Sequence, residues 1–169
     1  QRLDKRIAWW IVRMTGTNVY WISFGITAVC GTLAAFIGEH TVAAMMLPVG
    51  VTLITLTSND RKKIHNLAAV ILFSISYGCS IAGVATPSGG ARNAILIRYW
   101  KDFFYDPLDP ATRRYLMDYV SWIVYAFPMF LLRLPIVAAL LIFTFKPEVT
   151  DMSRAVSRLR TQVSMQGPM

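Results

Sequence analysis

Between Met14 and Ser58 the chain contains no Asp, Glu, Lys, Arg or His except one adjacent pair, Glu39 and His40. The flanking stretches 18–37 and 42–57 are apolar or weakly polar throughout, and residues 64–86 and 119–145 repeat the pattern. Each run is close to the roughly 20 residues that a helix needs to cross the hydrocarbon core of a bilayer. A soluble core does not require apolar residues in such runs. Composition agrees: 55% of residues are hydrophobic and only 15% charged, against about 25% charged in soluble domains. These features predict an all-α integral membrane protein whose main partner is the lipid bilayer.

The formal charge of +8 could suggest nucleic acid, but the cations sit at the ends of the apolar runs. Arg2, Lys5, Arg6 and Arg13 precede the first run, Arg61, Lys62 and Lys63 follow the second, and Lys146, Arg154, Arg158 and Arg160 follow the last. Juxtamembrane cations distribute this way when they hold loops on the cytoplasmic side. A basic face interleaved with base-stacking aromatics is missing, which excludes a nucleic-acid partner. Cys30 and Cys79 lie inside apolar runs and read as small buried hydrophobes. The chain opens on Gln1 with charges at once and without a short apolar core and cleavage site; it is expected to be a trimmed or partial chain without a signal peptide.

Six segments follow. Residues 1–16 alternate charged and apolar side chains around Trp9 and Trp10, with Leu3, Ile7, Trp10 and Ile11 placed on one side. This fits an amphipathic interfacial helix or the charged foot of a spanning one. Residues 17–57 form two apolar arms around Gly38-Glu39-His40, both ending in cations, hence a hairpin. Its turn lies either in water on the far side or partway through the membrane, where irregular backbone survives only beside protein or a watery cavity. Ala28, Gly31, Ala34 and Ala35 permit close helix packing, and Pro48 is expected to break the second arm. Residues 58–104 form a membrane-spanning helix interrupted by an unwound loop at 85–92, where Pro87, Gly89 and Gly90 cannot sustain a helix. Residues 105–118 are a surface loop, 119–145 a spanning helix bent at Pro128 and Pro135, and 146–169 a basic cytoplasmic tail or connector.

Glu39, Arg92 and Arg133 fall at membrane depth. A charge there costs about 2.5–3.5 kcal/mol even on the mild insertion scale, so it lines a pathway or has a partner. Glu39 could also be an ordinary turn residue in water, Arg133 a structural cation. A helix starting after Glu39-His40 and another near Arg92-Asn93 both present unpaired N–H groups and a positive dipole end. Two such ends meeting inside a membrane make an anion site, and interrupted helices are a mark of secondary transporters. No Walker A lysine follows "GGARN", no metal-ligand spacing occurs and no nucleophile–base motif appears. An enzyme is not expected.

"TVAAMMLP" at 41–48 and "SIAGVATPSGGARNAIL" at 80–96 resemble the divalent-anion/sodium symporter family, carriers of dicarboxylates, citrate and related anions. Aligning Met45-Met46-Leu47-Pro48 with the family's Met-Met-Leu-Pro puts its Ser-Asn-Thr triplet on Gly38, Glu39 and His40. Ser80, Ile81, Gly83, Ala85, Thr86, Gly89 and Asn93 match the second signature, while Gly90, Ala91 and Arg92 stand where Thr-Pro-Pro is usual. The resemblance implies one half of an inverted-repeat, elevator-type transporter in a plasma (inner) membrane, in which 17–57 is a re-entrant helical hairpin with Glu39-His40 at its tip, followed by the broken transmembrane helix. It implies a homodimer, with the second repeat on a part of the protein beyond this chain. By the same resemblance, Glu39, His40, Thr41, Gly90, Arg92 and Asn93 contact a small anionic substrate, and Gly38, Glu39 and Gly89 hold the coupling ion. No cofactor is implied beyond sodium or a proton. The acid at position 39 puts sodium coupling of the usual kind in question: a carboxylate can exchange a proton or ligate sodium itself. The alternatives are a cation/proton or arsenite-type carrier of related architecture, and a non-transporting homologue.

Overall fold

The apolar runs become helices because a helix satisfies its own backbone hydrogen bonds without help from solvent. The computed structural model describes residues 2–57 and 64–165. Its helices are α1 (Arg2–Thr15), α2 (Val19–Ile37), α3 (Glu39–Thr57), α4 (His65–Ala82), α5 (Ala91–Phe104), α6 (Tyr119–Phe145) and α7 (Ser153–Ser164). Short 3-10 turns occupy Pro87–Gly89 and Pro110–Tyr115. Among the described residues the one extended pairing is an antiparallel bridge between Asn18 and Asp151. α2, α3, α4 and α6 are long and apolar enough to cross a membrane. The protein is an all-α integral membrane protein.

α4 is the centre of the bundle and packs against α2, α3 and α6. Ile22, Ile26, Cys30 and Ala34 of α2 are buried with Leu67, Ile71, Ile75 and Cys79 of α4. Within this apolar seam the Ser23 and Ser74 hydroxyls bond each other at 2.7 Å, so neither is left unpaired. The helices come close enough that a side chain at Gly78 would lie 2.9 Å from the Thr27 carbonyl oxygen. Gly31 makes room for the Phe130 ring of α6 in the same way. The outward faces keep large apolar side chains exposed, among them Phe36, Met45, Leu132, Ile136, Leu140 and Phe143. An apolar surface of this extent marks contact with lipid or with other protein.

α1 and α7 pack against each other and against α3. α7 buries Ala155 and Leu159, with Met152 just ahead of it. In α1 the buried pair is Ile11 and Val12, whereas Trp10 is 55% exposed. The inward stripe of α1 is therefore centred on Ile11 and Val12, with Trp10 at its outer side. The start of α2 and the approach to α7 are tied by Val19 N–H to the Thr150 carbonyl at 3.0 Å and Met152 N–H to the Thr17 carbonyl at 2.8 Å.

Two other expectations are revised. α3 runs unbroken from Glu39 to Thr57 with Pro48 inside it. A proline removes one helical N–H, and the flanking turns carry the helix across that gap. The interruption after α4 begins at Gly83 and ends at Gly90, with α5 starting at Ala91, so the helix resumes within the stretch 85–92. The cations Arg61, Lys62 and Lys63 and the tail end 166–169 lie outside the described residues.

Charged residues fasten the ends of the spans. Asp118 caps α6, accepting the Ser121 N–H at 2.7 Å. That backbone bond holds its carboxyl below the usual range. Glu148, just beyond α6, accepts the N–H groups of Asn66 and Leu67 at 2.9 and 3.0 Å. It thereby closes the first turn of α4 with a carboxylate at the positive end of the helix.

Candidate functional site

α2 and α3 are joined by a single residue. Gly38 has φ +107° and ψ 141°, a left-handed conformation that residues with a Cβ rarely hold. Its N–H donates to the Ala34 carbonyl and its own carbonyl accepts from Val42 N–H, both at 3.2 Å. The reversal places Glu39 in the first turn of α3, where the helix dipole favours an acid.

The interruption between α4 and α5 lies against this turn. The Thr86 hydroxyl donates to the Ala35 carbonyl near the end of α2 and accepts Gly89 N–H at 3.1 Å. The Asn93 side chain is buried, and its amide donates to the Gly83 and Thr86 carbonyls at 2.6 and 2.8 Å. It thus takes up two acceptors that the interrupted helix would otherwise leave bare. A side chain at Gly89 would lie 2.9 Å from the Gly83 carbonyl oxygen and 3.2 Å from that of Ala35. α6 closes the far side, with Trp122 Nε1 donating to the Val84 carbonyl at 2.9 Å and the Ser88 and Tyr119 hydroxyls bonded at 3.0 Å.

Glu39 and Arg92 meet where the two turns face each other. Arg92 Nη2 donates to Glu39 Oε1 at 2.6 Å. The carboxylate side chain is only 14% exposed, the arginine 79%. His40 Nε2 stands 3.5 Å from the same oxygen and is 97% exposed. Oε2 lies so close to Gly83 that a Cβ there would be 2.5 Å from it. Arg92 occupies the first turn of α5, where the dipole opposes a cation. Its pairing with Glu39 offsets that opposition.

The pair separates two clefts. One, of about 530 Å³, is walled by Ser76, Cys79, Ser80 and Gly83 of the α4 side, with Asn93 at its edge. The other, of about 520 Å³, is lined by Gly38 and Thr41 on the hairpin and by Ser88, Gly89 and Gly90 on the opposite turn. Glu39, His40 and Arg92 face both. The residues that the resemblance marks, 38–41 on one turn and Gly89, Gly90, Arg92 and Asn93 on the other, therefore converge on one place. They divide by situation: His40, Thr41 and Arg92 are exposed, whereas Gly89 and Asn93 are buried in the turn. Arg133 is exposed on α6 and lines neither cleft. Among the described residues no three His, Cys, Asp or Glu side chains converge as a metal cluster would require.

Sequence reasoning marks Ser80 and Gly83 of the α4 wall only as motif matches and misses Ser76. Ser76, Ser80 and Gly83 recur at intervals of four and three, which places them on one helical face. That small, polar stripe was the available signal. Cys79 is buried as expected, yet it also borders the cleft.

The family described as the sodium:sulfate symporter transmembrane region matches residues 1–169. A sodium-dependent high-affinity dicarboxylate transporter 3 of Caenorhabditis elegans is 25% identical over 168 residues, 93% of this chain and 29% of that protein. An uncharacterized transporter of Haemophilus influenzae is 29% identical over 149 residues, 88% of this chain and 29% of the relative. The mouse Na(+)/dicarboxylate cotransporter 3 is 35% identical over 75 residues, 44% of this chain and 11% of the relative. The chain thus spans under a third of the length of these curated relatives.

Proposed function

This chain belongs to the sodium:sulfate symporter family, and from that premise we propose that the intact protein is a secondary active transporter of small di- or tricarboxylate anions. A cation gradient drives it, carried by sodium, with the proton as the alternative. The observation that supports this most is the Glu39–Arg92 pair, set between two clefts with its arginine turned outward. Arg92 offers a carboxylate the remaining donors of a planar fork. His40 and Thr41 face the same opening from the start of α3, and the N-terminal ends of α3 and α5 add partial positive charge. Glu39 supplies a carboxylate that can ligate a coupling cation, with Gly38 and Gly89 shaping the turns beside it. Gly90 and Asn93 hold the opposite turn.

At the level of the whole protein, the reading continues by analogy with an inverted-repeat elevator. The 17–57 hairpin and the 58–104 interrupted helix move together as transport elements. A second repeat elsewhere on the protein completes the site, and two copies form a homodimer in the plasma membrane. The test is uptake by the intact protein in proteoliposomes, with succinate, citrate and sulfate offered under an inward sodium or proton gradient. Gradient-driven accumulation of succinate or citrate, lost in Arg92→Ala, is expected. Cation exchange without anion uptake would instead indicate a cation/proton carrier, arsenite uptake an arsenite-type carrier, and absence of both a non-transporting homologue.

A further inference from the structure

Glu39 and Arg92 are 53 positions apart, and each stands where the sequence departs from the motif it otherwise resembles. In space the two departures form one ion pair. Neighbouring carbonyls are already committed: those of Gly83 and Thr86 to the Asn93 amide, that of Ala35 to the Thr86 hydroxyl. Glu39 differs from them, because its partner is a largely exposed side chain facing both clefts. Among the described residues, Arg92 makes its side-chain bond to Glu39 alone, and the α5 dipole opposes its charge.

We infer that anion and coupling cation enter this site by ion-pair exchange. The carboxylate of the substrate takes Arg92 from Glu39, and the released Glu39 carboxylate takes the cation. The inference rests on the carrier reading and assigns its coupling step. Each exchanged charge keeps a partner: one neutral pair becomes two, Arg92 with one substrate carboxylate and Glu39 with sodium, while any further carboxylate of the substrate is met by groups other than these two. Either ligand alone leaves an uncompensated charge. An anion alone strands Glu39, which is 86% shielded by its surroundings (14% exposed); a cation alone strands Arg92 at the positive end of α5. The cost of stranding falls on the shielded Glu39 carboxylate, since Arg92 is 79% exposed, so the anion favours the cation. By reciprocity the enhancement is equal in both directions.

The experiment is calorimetric titration of succinate and of citrate into the detergent-solubilised intact protein, in sodium chloride or choline chloride at one pH. Sodium is expected to tighten anion binding to the wild type. Glu39→Gln keeps an acceptor for Arg92 but no charge to compensate, so the sodium enhancement is expected to fall by about tenfold, within the usual range of coupling between sites. Glu39→Asn serves if the first variant does not fold. Arg92→Ala is expected to lose anion binding while still being stabilised by sodium in thermal unfolding. Anion binding with the same sodium enhancement in wild type and Glu39→Gln would overturn the exchange alone. Absence of anion binding in wild type would overturn the carrier reading and the exchange together.

Discussion

Gly38 carries the chain reversal between α2 and α3 alone, at a positive φ that a Cβ opposes. Gly38→Ala is therefore expected to destabilise the protein by about 1–3 kcal/mol, read as a lowered unfolding temperature in detergent. Nothing lies within 4 Å of a Cβ built there, so the cost is conformational and not steric. Asn93 makes the opposite kind of contribution. Its amide is buried and donates to two carbonyls of the interrupted helix. Asn93→Ala strands both acceptors, at about 1–3 kcal/mol each for a buried group left unpaired. Asn93→Asp keeps the size but loses the donors, and should destabilise comparably. The sequence marks Gly38 for the coupling ion and Asn93 for the substrate, yet it does not show the structural part that each plays. Glycine at a reversal is legible from composition, whereas the partners of a buried amide lie 7 and 10 positions away across a turn.

Among the elements, α4 depends on a cap from the far end of the chain. Glu148 bonds the N–H groups of Asn66 and Leu67, 82 and 81 positions away. Partial burial works against its charge, but these backbone bonds outweigh it and hold the carboxyl below its ordinary value of about 4.5. A carboxylate with a folded pKa below its unfolded one contributes stability that is fully present above the unfolded value. That contribution is lost as pH falls through the folded value. Thermal unfolding from neutral pH down past about 4.5 should show a decline that is shallower in Glu148→Gln. The two helix interruptions were legible because Gly38, Pro87, Gly89 and Gly90 announce them. The continuity of α3 through Pro48 was not, since a single missing N–H is decided by the packing on either side. Nor was the burial of Val12 beside Ile11, because the face of α1 that turns inward is set by its packing against α3 and α7.

For the whole molecule, apolar run length identified a helical membrane protein, and the convergence of residues 38–41 with 89–93 was anticipated by their motifs. What the linear order hid is that one departure from the motif neutralises the other. Position 39 gains an acid and position 92 a base, and only folding shows that they touch. Gly83→Ala probes that arrangement without removing either charge, since a Cβ there would press on Glu39 Oε2. Weaker succinate binding in the intact protein is expected, and an unchanged affinity would mean that the carboxylate position matters little. The most direct measurement uses His40→Cys in an intact protein whose Cys30 and Cys79 are replaced. Maleimide labelling at position 40, where the histidine side chain is 97% exposed, should slow when succinate or citrate is added together with sodium. Labelling indifferent to anion and sodium while uptake continues would place the hairpin turn outside the transport site and contradict the account.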